Sequence, residues 1–386
     1  MQDSRLLSSG CPVTTEWLKR AAAGIAELHP YIPGKPIIEL ERELGLVDTI
    51  KLASNENPLG PSPLAWAAIQ KVAGEVHLYP DDSGHSLRNK LAERCAVAPG
   101  AITLGAGSSD VIDMVARIFL EPGVNAVYSE HSFAMYQIYT QACGAAAKVA
   151  PPLPVDHPHM PYGHDLDAMA ALIDNDTRVV FIANPNNPTG TWLSKSEVAA
   201  FLQSVPSDVV VVLDEAYTEY VTEEEFPNGI DWLADYPNLI VTRTFSKMYG
   251  LAGLRIGYGI SSPQLASVIQ RVRHPFNANL VALAAAEAVL DDDAYVRQGR
   301  EVNQQGMAQL MSAFDAMGLV YMPSVANFLT VDLKREAAPV NDGLLNQGII
   351  TRPIANYNLH NHLRISIGTE SQNSRFITAL EQELSS

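Results

Sequence analysis

The chain has 386 residues, 43 acidic against 26 basic side chains, a net charge of −17 and 47% hydrophobic residues. That apolar share supplies a sizeable core, excludes disorder on a large scale, and with this length suggests two or three domain-sized units. An acidic chain without a basic tract lacks the cationic face that nucleic acid requires and is repelled by anionic membrane surfaces.

The N-terminal stretch MQDSRLLSSGCPVTTEWLKR has no apolar signal-peptide region, and no run approaches the ~18 apolar residues of a membrane span. Cys11, Cys95 and Cys143 are odd in number, widely spaced and free of any CxxC, which predicts reduced thiols in a cytoplasmic protein. Helical pieces are predicted around Thr15–Leu28 and Ile38–Leu44. The prolines and glycine of His29–Pro36 keep the chain irregular between them, as in Asn55–Pro61. Ser62-Pro63 opens a helix to about Val72 as N-cap and N1, and Ser86–Cys95 is helical. A short strand Ala101–Leu104 leads through Gly105-Ala106-Gly107-Ser108 into the amphipathic helix Val111–Leu120.

From there strands and helices alternate: strand Ala126–Tyr128, helix Phe133–Cys143, strand Arg178–Ala183, helix Lys195–Ser204, then strands Asp208–Leu213 and Leu239–Thr244. The last three strands are continuous apolar runs, the mark of parallel strands buried on both faces. Helix-rich sequence follows from Pro263. The tail reads as strands Phe328–Leu333, Ile349–Pro353 and Leu363–Ile367 and a closing helix Asn373–Leu384. The expected fold class is α/β, with a mostly parallel sheet in a large domain and a smaller α+β domain. The expected division is 1–54 (N-terminal arm and part of the small domain), 55–285 (large domain) and 286–386 (C-terminal small domain).

Ligands of open parallel sheets bind outside the carboxyl ends of the strands. After Arg178–Ala183 comes Asn184-Pro185-Asn186-Asn187; after Asp208–Leu213 come Asp214 and Tyr217; after Leu239–Thr244 come Ser246 and Lys247. A glycine-rich turn opening a helix suits a phosphate, because free N–H groups and the helix dipole face it. These parts fit pyridoxal phosphate, which needs a lysine for its Schiff base, a carboxylate at the ring nitrogen, donors to the ring oxygen and a phosphate cradle. Lys247 is one of nine lysines and the only one between Lys195 and Lys334. It is the catalytic candidate, with an amine made easier to deprotonate by neighbouring cations. Asp214 is assigned to the ring nitrogen, Tyr217 and Asn187 to the ring oxygen, and Phe133 to the ring face. The phosphate is assigned to the Ala106-Gly107-Ser108 turn with Thr244, Ser246 and Arg255.

The motifs Pro30–Pro36, Leu52–Pro58, Tyr79-Pro80-Asp81, Asn186–Gly190, Asp214–Tyr217, Thr244–Lys247, Gly250–Gly257 and Leu363–Thr369 together resemble the fold-type I pyridoxal-phosphate-dependent aminotransferases, and among them the histidinol-phosphate aminotransferase family. The resemblance runs from Leu28 to the C-terminus. It implies transamination of L-histidinol phosphate with 2-oxoglutarate, giving imidazole acetol phosphate and L-glutamate, in histidine biosynthesis. It also implies a homodimer with shared active sites, in which Tyr79 reaches the partner's cofactor phosphate. Arg364 is implied at the substrate α-carboxylate, with Tyr31, Asn57 and Arg352 near the substrate side chain and Arg352 suited to a substrate phosphate. A cis Asn187–Pro188 bond is implied too. The sequence departs from the family at Ala106, where Asn is common, at Asn358, where Gly is usual, and at His274.

Two rival chemistries share the scaffold: an aromatic amino-acid aminotransferase and a decarboxylase of a phosphorylated amino acid. A cofactor-binding regulator would need a helix-turn-helix and a basic face. His157, His159 and His164 match no zinc spacing, so a surface loop and no metal are expected. The acidic runs Glu223–Glu225 and Asp291–Asp293 read as solvated surface, and His360 and His362 as loop residues before Arg364.

Overall fold

The structure, a computed structural model, describes residues 15–31 and 33–385. The reading of residues 1–14 as free of a signal segment, the thiol of Cys11, and Ile32 of the proline-rich motif lie outside the described residues.

Thirteen strands can be traced among the described residues: β1 Ile50–Lys51, β2 Ile102–Gly105, β3 Asn125–Ser129, β4 Ala146–Ala150, β5 Thr177–Ala183, β6 Val210–Asp214, β7 Leu239–Thr244, β8 Gly257–Ser261, β9 Val320–Tyr321, β10 Phe328–Asp332, β11 Ile349–Ile350, β12 Arg352–Ile354 and β13 Leu359–Ser366. Seven of them form one sheet in the order β2-β8-β7-β6-β5-β3-β4. The strands β7, β6, β5, β3 and β4 pair in parallel, which is why the apolar runs of β5, β6 and β7 are uninterrupted: helices cover both faces. Strand β8 runs antiparallel to β7 and to β2. Register places Gly105 of β2 against Gly257 of β8, and Gly257 against Thr244 of β7. The carboxyl ends of β2 and β7 therefore emerge at the same edge as those of β5 and β6.

A four-stranded antiparallel sheet, β12-β13-β10-β9, is built from the C-terminal third. Strand β1 from the N-terminal arm pairs in parallel with β11. The helices Asp293–Ala316 and Glu370–Ser385 pack on this smaller sheet through Leu310, Phe314, Phe376 and Leu380, all fully buried.

Local chemistry explains most boundaries. Ser62 accepts a hydrogen bond from the Ala65 N–H with Pro63 at N1, as the sequence indicates. Ser194 and Glu197 form a reciprocal capping box for helix Lys195–Ser204. Several expectations need correction. The first predicted helix covers only Thr15–Leu18 among the described residues, not the span to Leu28, whereas the second forms as Ile37–Leu44. Past the first, Gly24 takes φ +86 and lies so close to helix Met135–Ala142 that a Cβ would stand 1.9 Å from the Gln141 carbonyl oxygen. The single predicted strand Ile349–Pro353 is two, β11 and β12, in different sheets. The histidines divide: His164 is buried, its Nε2 3.0 Å from the Ala183 carbonyl, and His362 is buried within β13, so neither sits on a surface loop. Among the described residues, no group of three or more His, Cys, Asp or Glu is arranged to hold a metal ion, and no helix is long and apolar enough to cross a membrane.

Candidate active site

A cavity of about 270 Å3 opens at the carboxyl edge of the large sheet. It is lined by Asn187 after β5, Asp214 at the end of β6 and Tyr217 beyond it, Thr244 at the end of β7 with Ser246 and Lys247 beyond it, and Ser108 and Ser109 after β2. Arg255, Phe133, Tyr31, Arg352 and Arg364 complete the wall, so the sequence candidates from separate strand ends do converge.

Lys247 is half-buried, and its Nζ donates to the Ser54 carbonyl at 3.1 Å. Burial, aided by the Arg364 and Arg255 guanidiniums, brings its pKa down from 10.5 to about 8, so an appreciable neutral fraction exists near neutral pH. Asp214 is buried, and its carboxylate accepts from the Tyr136 hydroxyl at 2.9 Å and the Thr242 hydroxyl at 3.0 Å. Burial raises its pKa to about 6 against the opposing pull of those two donors. A cation placed against it would favour the carboxylate. Sequence reasoning missed Tyr136 and Thr242, because both lie inside regular elements with no motif to mark them.

The turn after β2 is narrower in role than expected. The Ala106 N–H donates to Asp110 at 2.8 Å and the Gly107 N–H to Gly105 at 2.8 Å, so neither is free for an anion. The helix Ser108–Phe119 begins one residue later, and its opening residues Ser108 and Ser109, whose N–H groups have no acceptor within the helix, line the cavity. Arg255 adopts a left-handed backbone with φ +57. From there its guanidinium reaches Ser246 Oγ at 3.2 Å and the Ala106 carbonyl at 3.3 Å. Gly107 has φ +94, and a Cβ on it would stand 2.5 Å from Arg255 Nη2. Glycine thus lets a guanidinium sit against a helix N-terminus, two sources of positive potential at one point. Such a cradle fits a phosphate, Asp214 fits a protonated ring nitrogen, and Lys247 fits an aldehyde. The residues present therefore match the pyridoxal phosphate expected from the sequence.

Arg364 is buried on β13, directly opposite Arg352 of β12 in register. Its Nη2 donates to the Ala53 carbonyl at 2.6 Å and its Nη1 to Asn187 Oδ1, while its buried Nε has no partner. Arg352 lies 5.6 Å from the Tyr31 ring centroid. Two guanidiniums on one wall suit a substrate with anionic groups. Asn187 precedes a cis proline bond, as implied by the resemblance, and Asn184–Pro185 is cis as well.

Two candidates lie away from this cavity. The Asn57 amide donates to the Met248 carbonyl at 2.7 Å and its oxygen accepts from the Leu59 N–H, so it holds the backbone beside Lys247 and does not line the cavity. Tyr79 is 82% exposed and stacks on Phe276 at 4.5 Å. Asn55, unassigned from sequence, does line the cavity and donates to the Tyr217 hydroxyl at 2.9 Å. Asn358 takes φ +61, which explains why glycine is usual there and why asparagine, the next most tolerant residue, substitutes for it.

Residues 47–380 match the family described as aminotransferase class I and II. The chain is 55% identical to histidinol-phosphate aminotransferase 2 of Pseudomonas fluorescens (strain Pf0-1), over 95% of this chain and 98% of that protein. It is 52% identical to histidinol-phosphate aminotransferase 1 of Nitrosococcus oceani, over 94% and 96% of the two chains. Among solved structures, histidinol-phosphate aminotransferase from Sinorhizobium meliloti in complex with pyridoxal-5'-phosphate superposes with a TM-score of 0.85 at 28% identity, covering 98% of this chain and 99% of that one. With its parallel strand ends gathered around one half-buried lysine and most of its length matched, the chain belongs to the aminotransferase class I and II family, among the histidinol-phosphate aminotransferases.

Proposed function

We propose that this enzyme transfers the amino group of L-histidinol phosphate to 2-oxoglutarate, giving imidazole acetol phosphate and L-glutamate, as a step of histidine biosynthesis. The observation that carries the reading is the joint placement of Lys247, Asp214 and the Arg364–Arg352 pair around one cavity. The names of the relatives at 52–55% identity support the choice of substrate.

Pyridoxal phosphate, when bound, would supply the electron sink that transfer of the substrate α-proton requires. Lys247 would hold the cofactor through its Nζ, and the same amine is placed to take the substrate α-proton as base and return it as acid. Its lowered pKa suits both directions of transfer. Asp214, held by Tyr136 and Thr242, would keep the ring nitrogen protonated. Tyr217 and Asn187 would donate toward the ring oxygen, and Phe133 would cover a ring face. The Ser108 and Ser109 N–H groups, Thr244, Ser246 and Arg255 would hold the phosphate, with Ala106 and Gly107 shaping the turn.

Arg364 takes the α-carboxylate of glutamate or 2-oxoglutarate by a two-pronged contact. Arg352, with Tyr31, takes the second anion: the phosphate of one substrate or the distal carboxylate of the other. One pair of arginines thus serves two substrates that differ in where their charge sits.

The exposed, stacked Tyr79 fits a role across a subunit boundary, so the working unit is a homodimer with shared sites. The free thiols of Cys95 and Cys143 suit the cytoplasm. The division 1–54, 55–285 and 286–386 is offered on the same footing.

The test is a half-reaction screen. Enzyme loaded with pyridoxal phosphate is mixed with one amino compound at a time, and the visible absorption of the bound cofactor is followed. Histidinol phosphate and glutamate should each bleach it rapidly. Bleaching by phenylalanine but not by histidinol phosphate points to an aromatic aminotransferase, and carbon dioxide release without keto-acid exchange points to a decarboxylase; either outcome overturns the proposal.

A further inference from the structure

Tyr217 is assigned above to donate its hydroxyl proton toward the cofactor ring, and that role needs the proton to point into the cavity. A phenol oxygen can accept and donate at once, and its rotor turns toward whichever acceptor is at hand. A short chain of hydrogen bonds through Asn55, on the cavity wall, restricts that freedom.

The chain starts at the Asn55 backbone. Its N–H donates to Ser366 Oγ at 2.7 Å. The Ser366 hydroxyl then uses its own hydrogen on Asn55 Oδ1, 3.0 Å away. Because Oδ1 is the acceptor in that contact, Nδ2 is the atom that faces Tyr217, at 2.9 Å. An amide nitrogen has no lone pair to offer, so Tyr217 Oη accepts there and must direct its hydrogen elsewhere. Turning the Asn55 amide over would put Nδ2 against Ser366 Oγ and deprive the buried Ser366 hydroxyl hydrogen of its acceptor, so satisfying that group holds the amide in this orientation.

The surroundings hold this arrangement. Asn55 has φ +55, a conformation asparagine tolerates, and its carbonyl accepts from the Asn327 amide at 3.0 Å. Its neighbours touch the rest of the site: the Ala53 carbonyl accepts from Arg364, and the Ser54 carbonyl from Lys247. Ser366 lies two residues after Arg364 on β13, so both project from the same face of one strand.

We infer that Asn55 and Ser366 are positioning residues, which act through Tyr217 by fixing the direction in which its hydroxyl donates. This rests on the assignment of Tyr217 made above. It also ties the strand that carries Arg364 to the electronic state of the cofactor. A donor to the ring oxygen relieves that oxygen of sharing the proton on the Lys247 nitrogen, so losing the donor raises the pH at which that proton leaves. The charged groups that act on Lys247 are Arg364, Glu56, Arg255 and Asp214, and replacing the neutral Asn55 or Ser366 by another neutral residue removes none of these charges.

The test is a pH titration of the visible absorption of the bound cofactor in the holoenzyme. The variants are Asn55→Gly, Ser366→Ala and Tyr217→Phe, with the first two also made in the Tyr217→Phe background. Tyr217→Phe should raise the midpoint by about one unit, and Asn55→Gly and Ser366→Ala by a substantial part of that. Neither should raise it further in Tyr217→Phe, and Ser366→Thr, which keeps the hydroxyl, should restore the wild-type midpoint. Wild-type midpoints in Asn55→Gly and Ser366→Ala beside a shifted Tyr217→Phe overturn the inference, as does an equal shift in both backgrounds. An unshifted Tyr217→Phe sinks the Tyr217 assignment itself, and this inference with it. If Asn55→Gly does not fold, the Ser366 pair decides alone.

Discussion

Replacing Lys247 with methionine should make the apoprotein more stable while abolishing turnover. The lysine pKa falls from 10.5 to about 8 in the fold, mainly through burial and the Arg364 charge. At pH 7 the amine is mostly protonated in both folded and unfolded chains, and holding that charge in the fold costs about 3 kcal/mol at ~1.36 kcal/mol per unit. The side chain is only half-buried, and cavity water screens part of this cost. Methionine also leaves the Ser54 carbonyl without its donor, a loss of about 1 kcal/mol. The net gain expected at pH 7 is therefore about 1–2 kcal/mol. Its pH dependence is the sharper test. The folded-state pKa lies below the unfolded one, so between pH 8 and 10.5 the unfolded chain binds more protons and wild-type stability rises with pH. The advantage of the variant should be full below pH 8 and shrink as the pH approaches 10.5. Urea unfolding of both apoproteins at pH 7, 8.5 and 10 measures it. A variant no more stable than wild type at pH 7, or an advantage that does not shrink with pH, would refute the electrostatic reasoning.

Three further outcomes are expected. Gly107→Ala forces a Cβ to 2.5 Å from Arg255 Nη2 at a left-handed φ, and should weaken pyridoxal phosphate binding about tenfold or more by equilibrium dialysis; unchanged affinity counts against the phosphate cradle. Tyr136→Phe keeps the stack on Phe181 at 4.9 Å but removes a donor to Asp214, moving the carboxyl pKa further above about 6. Cofactor affinity should then drop about tenfold at pH 6 and much less at pH 8, where Asp214 is ionised regardless, and an equal loss at both pH values contradicts this role. Arg364→Lys loses the two-pronged geometry, so KM for 2-oxoglutarate should rise about 100-fold in steady-state kinetics. KM for histidinol phosphate, which has no α-carboxylate, should change far less, and parallel rises would show that Arg364 does not read that carboxylate.

The parts of the fold legible in sequence were those with a one-dimensional signature. Val210–Leu213 and Leu239–Val241 are apolar throughout because helices cover both sheet faces, and their strand ends carry the polar residues that a crevice requires. Strands β4 and β8 escaped notice for opposite reasons. Strand β4, Ala146–Ala150, is a largely exposed edge strand, built mostly of alanine, with no buried face to impose a pattern. Strand β8 is rich in glycine because helix Ser108–Phe119 lies on it: a Cβ at Gly257 would stand 2.4 Å from the Ser108 nitrogen, and one at Gly259 2.8 Å from the Val111 side chain. Tertiary packing there removed the very residues that mark a strand.

Sequence alone determined the chemical inventory of the site, because Lys247, Asp214, Tyr217 and Asn187 follow buried strands whose ends share one edge. It also led to the expectation that anion recognition in so acidic a chain would fall to a few arginines. Only the tertiary structure decided which backbone N–H groups remain for a phosphate, since Ala106 and Gly107 spend theirs within the turn. It alone set Arg364 opposite Arg352 and joined Asn55 to Ser366, 311 positions apart. Hydrogen-bond direction and charge proximity depend on contacts between distant segments, which no local pattern encodes.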